Sequence, residues 1–201
     1  MKKSTKFNAA LLAVSALFAA LLVGGKEALA VLPNIEVVTL LIALCAYVWG
    51  PIVVFPAVNV FIVVDMAIWS VNTWVISYFI HWNTVALAFW LLGKIKYSHK
   101  AVEITIATLV AAVLTTLFGL VTSAVDTLVG YTGKGFFIDR DNYFQRFVVM
   151  YVSGGSFYVT QIVCNIALFA TAFFPLVALN RKAQIRMLPS NEEADEQSRN
   201  Q

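Results

Sequence analysis

Five long stretches of this chain carry no charged residue: Phe7–Gly25, Val37–Val64, Met66–Gly93, Ile104–Val125 and Phe147–Asn180. A helix that crosses roughly 30 Å of hydrocarbon needs about 20 residues, so the pattern predicts membrane-spanning helices. The second run is interrupted by Gly50-Pro51, directly after Trp49. Proline lacks an amide proton and its ring clashes with the preceding turn, so this pair predicts two short helices in place of one long one. The spans so drawn are 7–24, 35–49, 52–67, 75–93, 103–125 and 157–179. The second and third are short for a full crossing, which suits a small tilt or a thinned bilayer. Ser153-Gly154-Gly155-Ser156 sets Tyr143–Val152 apart as an outer segment before the last span. Residues 1–182 form the membrane domain. Residues 183–201 form a polar tail whose acidic end, Ser190–Gln201, has no apolar anchor and is expected to be disordered.

Charge orients the bundle. Lys2, Lys3 and Lys6 precede the first run and place the N-terminus in the cytoplasm. If Val37–Val64 crossed once, the Lys94, Lys96, Lys100 cluster and the Arg181, Lys182, Arg186 cluster would fall outside. A fold at Gly50-Pro51 returns both to the cytoplasm, with ten of the 14 Lys and Arg inside and Lys26, Lys134, Arg140 and Arg146 outside. The expected fold is an all-α integral membrane protein, a six-helix bundle with both termini cytoplasmic. Composition agrees: of 201 residues, 60% are hydrophobic and 12% charged, against about 45–50% and about 25% in soluble domains. A net charge of +3, with no basic stripe, excludes nucleic acid as a partner. Met1–Ala30 resembles a secretory signal ending in Ala28-Leu29-Ala30. The long apolar stretch, with Lys26 and Glu27 in the would-be cleavage region, favours retention as the first span.

The chain contains no Walker loop, His-Glu-x-x-His, Gly-x-Ser-x-Gly or intramembrane carboxylate pair. Cys45 and Cys164 both lie in apolar runs and suit core packing; no metal site or cofactor is expected. His81, near the outer end of the fourth span, reads either as an interface residue or as a ligand to something bound. The first helix carries Ala9, Ala13, Ala16 and Ala20 at spacings that let another helix approach closely. That partner could lie within the chain or be another membrane protein. Polar residues gather on the outer side: Lys26, Glu27, Asn34, Glu36 and Thr39, then Asp65, Asn72 and Trp74, then Asp126, Tyr131, Lys134, Asp139, Arg140 and Asp141. Tyr78, His81, Trp82 and Asn83 reach the same layer from the fourth span. Tyr158, Gln161 and Asn165, spaced three and four apart, share one face of the sixth. Polar side chains within a span face the interior or a cavity, so Asn34, Trp74, Tyr78, His81, Tyr158, Gln161 and Asn165 are the candidate ligand-binding residues. Aromatic planes beside amides suit a flat, polar organic molecule; an interfacial aromatic belt explains most of the tryptophans equally well.

One segment has a familiar form. Lys26–Leu41, with Leu32-Pro33-Asn34 followed by Val38-Thr39, comes after an alanine-rich first helix and resembles the substrate-binding S-components of energy-coupling factor (ECF) transporters. The likeness continues through Gly119 and Asp126-Thr127-Leu128 to Phe157-Tyr158 and Asn165, covering about residues 7–182. It implies a six-helix subunit of the cell membrane that binds a vitamin or similar micronutrient near the outer face and topples to release it inside. It also implies docking through the Ala9, Ala13, Ala16, Ala20 face onto a transmembrane coupling subunit that carries two ATPases. Cobalamin, riboflavin, folate and pyridoxine are the candidate ligands, with a lean to cobalamin from the form of the first loop. Two other classes stand beside this reading: a membrane-embedded enzyme, for which Asp65, Asp126 and His81 are the only candidate groups, and a structural membrane protein without a small ligand.

Overall fold

A computed structural model describes residues 2–32, 35–132 and 135–187. The described residues form eight helices and one two-stranded hairpin: α1 (Lys2–Ala28), α2 (Val38–Trp49), α3 (Pro51–Trp69), α4 (Trp74–Leu92), α5 (Lys100–Leu128), β1 (Val129–Thr132), β2 (Gly135–Ile138), α6 (Tyr143–Ser153), α7 (Gly155–Thr171) and α8 (Phe173–Met187). α1, α3, α4 and α5 are each long and apolar enough to cross a membrane. A fifth crossing results if α6 and α7, which meet at 54°, form one broken span.

The second charge-free run does break where proline demands it. α2 ends at Trp49, and Gly50 turns the chain at φ +78, a region open to glycine at no steric cost. Pro51 then opens α3, where its missing N–H would have been unpaired in any case. α2 has only 12 residues, about 18 Å at 1.5 Å per residue. It is not among the helices long enough to cross, and the six expected crossings reduce to four or five by length and composition; ten of its residues are buried against α1, α3, α4, α7 and α8. A helix enclosed by protein has no lipid thickness to match. Its stability comes from close packing, since lipid supplies no hydrophobic drive between helices.

The last expected span, 157–179, is divided into α7 and α8 at Ala172. Pro175 explains the division: it cannot donate to the carbonyl of Thr171, and its ring crowds that oxygen. α8 continues to Met187, so the helix carries five residues past the boundary drawn at 182; residues 188–201, the rest of the expected tail, lie outside the described residues. The core is an apolar layer around α2, with Phe61, Phe89, Phe169 and Phe173 fully buried. Tyr47 packs edge-on to Phe173 and Phe174 and donates to the Glu103 carboxylate, while Gln184 Nε2 donates to the carbonyl of Val48 at 2.9 Å. These contacts tie α8 and α5 to the Trp49 end of α2.

α5 presents Ala107, Ala111, Thr115, Gly119, Ser123 and Thr127 as a buried stripe four residues apart, and α7 packs along it. Small side chains there let the two backbones come close. A Cβ on Gly119 would stand 2.9–3.0 Å from the Tyr158 ring, and one on Gly154 2.6–2.7 Å from the same ring. The two glycines thus form the slot that holds Tyr158.

Candidate functional site

The site forms where the segment before α2 meets α5 and α7. Glu36 precedes α2 and its Oε2 accepts the N–H of Thr39 at 2.9 Å, satisfying one free donor of the first turn and placing negative charge at the positive end of the helix. Glu36 Oε1 accepts from Thr39 Oγ1 at 2.6 Å and from Asn165 Nδ2 at 3.0 Å. Gln161 Nε2 points at the same oxygen from 3.5 Å, the outer limit of a hydrogen bond. Asn165 Nδ2 also donates to Thr115 Oγ1 at 2.9 Å, and that hydroxyl donates back to the carbonyl of Ala111. The Glu36 carboxylate therefore joins the start of α2 to α7, and Asn165 extends the network to α5.

The amide orientation follows from this chemistry. Turning Asn165 over would set its carbonyl oxygen against the Glu36 carboxylate, so the nitrogen must face Glu36. Asn165 Oδ1 and Gln161 Oε1 are then left buried with no hydrogen-bond partner among the described residues. An unpaired buried acceptor costs about 1–3 kcal/mol, which marks this as a place that something else completes.

A second cluster lies at the ends of α1, α3 and α4. Lys26 Nζ donates to both oxygens of Asp65, at 2.5 and 2.6 Å. The same ammonium faces the rings of Trp69, Trp74 and Tyr78 at 5.8, 5.7 and 5.3 Å, within the range of cation–π attraction. Glu27 accepts from Trp69 Nε1 at 2.8 Å and anchors that wall. Tyr78 stands under the Lys26 ammonium and also packs on Phe118 of α5, the helix that carries Thr115. Behind it, the rings of Tyr78, His81 and Trp82 pack on Phe118 of α5. Ser77 Oγ, His81 Nε2 and Trp82 Nε1 are buried on α4 and also lack partners among the described residues.

Of the candidate ligand-binding residues, Gln161 and Asn165 are buried and brought together as their spacing predicts. Tyr158 shares their helix but is engaged elsewhere: its hydroxyl is 3.0 Å from Ser123 Oγ and its ring stacks on Tyr151. Trp74 and Tyr78 stand in the Lys26 box, 4.9 Å apart. His81 is 4% exposed against Trp82 and Phe118, so it is a core residue and not an interface one. Asn34, like Lys134, lies outside the described residues. Asn83 turns away and donates to the carbonyl of Phe79. Asp126 accepts from Thr73 Oγ1 at 2.6 Å, joining the start of α4 to the end of α5. The three candidate groups for an enzyme thus keep different company: Asp65 with Lys26, Asp126 with Thr73 and His81 with aromatic rings. Among the described residues, no three His, Cys, Asp or Glu side chains group closely enough to hold a metal ion.

Ala9, Ala13, Ala16 and Ala20 all face outward from the bundle, whereas Leu11, Val14, Phe18 and Leu22 turn inward. The packing of α1 within the chain therefore uses the opposite side of the helix. At the end of the hairpin after α5, Phe137–Asp141 line an open depression of about 460 Å³. Arg146 of α6 holds the base of the hairpin, donating to Asp139 at 2.6 Å and to the carbonyl of Thr127 at 2.9 Å. Cys45 is buried and Cys164 half-buried, both as free thiols.

Two contributors to the site escape a linear reading. Thr115 sits in a run of aliphatic residues and looks like helix filler; the four-residue spacing to Gly119 and Ser123 was the available signal. Glu36 looks like a solvated loop charge until α7 is placed beside it. Comparison with protein-family models, with curated proteins and with solved structures finds no match to this chain.

Proposed function

We propose that this protein is the membrane-embedded substrate-binding subunit of an ECF-type importer in the cell membrane. It takes up a vitamin-like micronutrient on the outer side and passes it to a coupling subunit driven by two ATPases. In this reading the bundle crosses six times, with α2 as a short enclosed crossing, α7 and α8 together as the last, and both termini in the cytoplasm.

The observation that carries the proposal is the polar seam between Glu36 and α7. A bundle that only had to fold would fill this position with hydrocarbon, because polar groups inside a membrane protein are costly and mark functional paths. Here Gln161 and Asn165 are buried, partly satisfied by Glu36, and each keeps an oxygen without a donor among the described residues. A ligand with its own polar groups would complete them. The outward alanine face of α1 adds support, since it leaves room for a helix of another subunit to approach closely.

Two measurements test this. Mass spectrometry of small molecules retained by the detergent-purified chain should find an organic micronutrient. Ala13→Leu and Ala16→Leu should reduce co-purification with an ECF coupling module while leaving the retained molecule in place. A chain that retains no small organic molecule when purified directly from its native membrane would refute the binding role. Unchanged co-purification in both variants would remove the alanine face from the docking surface.

A further inference from the structure

Resting on the binding-subunit reading, we infer that the molecule bound at this site is a flat organic cation rich in N–H donors, with Glu36 as its counter-charge.

Three independent features agree. The first is charge. Three carboxylates stand at these helix ends, Asp65 held by Lys26, Glu27 by Trp69 and Glu36 by Thr39 and Asn165, and among the described residues the ammonium set over the Tyr78 ring is that of Lys26. Lys26 is committed to both oxygens of Asp65, so it offers nothing to an incoming anion. Among the described residues, the partners of Glu36 are neutral donors: a hydroxyl, a backbone N–H and side-chain amides. The second is donor accounting. The amide nitrogens of Gln161 and Asn165 are turned toward Glu36, which leaves their oxygens buried and in need of donors. A ligand that fills this place must bring N–H groups, and one that brings acceptors would double the deficit. The unpartnered groups of α4, Ser77 Oγ, His81 Nε2 and Trp82 Nε1, can serve a neutral polar atom of the ligand, but none is a fixed positive charge that would balance an anion. The third is the aromatic wall. Trp69, Trp74 and Tyr78 already surround an ammonium, and their ring faces carry the negative side of the aromatic quadrupole. The same rings stack well on a flat cation and poorly tolerate an anion.

The test uses the purified full-length chain and three isosteric probes that differ in charge: benzamidinium, benzamide and benzoate. Binding is read by quenching of tryptophan fluorescence and by calorimetry. Benzamidinium should bind at least about 10-fold more tightly than benzamide, with benzoate the weakest. Glu36→Gln should bring the ratio of benzamidinium to benzamide affinity toward one. Because Glu36 also caps α2, Gln161→Leu serves as a second variant that leaves the cap intact; it should lower benzamidinium affinity about 5-fold or more by deleting a waiting acceptor. Benzoate binding as tightly as benzamidinium, or a ratio unmoved by both substitutions, would overturn the inference. So would an organic anion found as the retained molecule, although that result would leave the binding-subunit reading standing. Selective benzamidinium binding by a chain that never associates with a coupling module would do the reverse, supporting the ligand class and refuting the transporter role.

Discussion

The Lys26–Asp65 pair permits a prediction in which the two single substitutions differ in size and the double one reverses them. The Asp65 side chain is 2% exposed, while that of Lys26 is 25% exposed and also lies among aromatic rings. Removing one partner of a buried pair costs about 3–5 kcal/mol, because a charge is left uncompensated in a poor solvent. Lys26→Met leaves the enclosed carboxylate stranded and should fall within that range. Asp65→Leu leaves an ammonium that keeps its cation–π contacts, worth about 0.5–2 kcal/mol, and has a path to water. Its cost should be smaller, about 1–3 kcal/mol. In the double variant two apolar side chains replace the pair, and such replacements are often neutral or stabilising. The double variant should therefore be more stable than Lys26→Met alone, with a coupling of about 2 kcal/mol or more. Reversible unfolding of the four proteins in mixed micelles, followed by tryptophan fluorescence, measures the cycle. Additive effects, or Asp65→Leu proving worse than Lys26→Met, would refute the assignment of Asp65 as the desolvated partner.

Four further outcomes are expected. Gln161→Leu or Asn165→Leu should weaken binding of the molecule identified by mass spectrometry by about 5- to 150-fold, the range of about 1–3 kcal/mol for an unpaired polar group, whereas Lys182→Ala on exposed α8 should leave calorimetric affinity unchanged. Gly119→Ala drives a methyl to 2.9–3.0 Å from the Tyr158 ring and should cost about 1–3 kcal/mol by overpacking, seen as a lower melting temperature. Asp139 is held below the usual carboxylate range by the N–H of Asp141 and then by the Arg146 guanidinium, so its contribution is present above that range and lost as pH falls below it; Asp139→Asn should abolish that acid-limb loss in thermal melts between pH 5 and pH 2. On intact cells, an impermeant thiol reagent should label a cysteine placed at Asp141 and spare one at Lys96; labelling at Lys96 would refute the six-crossing topology.

Local physics was legible in the chain itself. The charge-free runs anticipate α1, α3, α4 and α5 because a helix needs nothing beyond its own residues to satisfy its backbone in lipid. Gly50-Pro51 and Ser153-Gly154-Gly155-Ser156 mark helix ends for the same local reason. The spacing of Gln161 and Asn165 placed them on one buried face, and the spacing of the alanines placed them on one exposed face. Which way each face pointed was decided by tertiary packing, since periodicity defines a stripe and not its partner. The same holds for the rest. α2 could remain at 12 residues only because neighbours enclose it, and Pro175 parted α7 from α8 inside a run that is apolar throughout. Lys26 meets Asp65 across 39 residues and Glu36 meets Asn165 across 129. Such pairings have no local signature, because each isolated charge is equally consistent with solvent. Only the arrangement of α1, α3, α5 and α7 takes them out of water and makes them answer to one another.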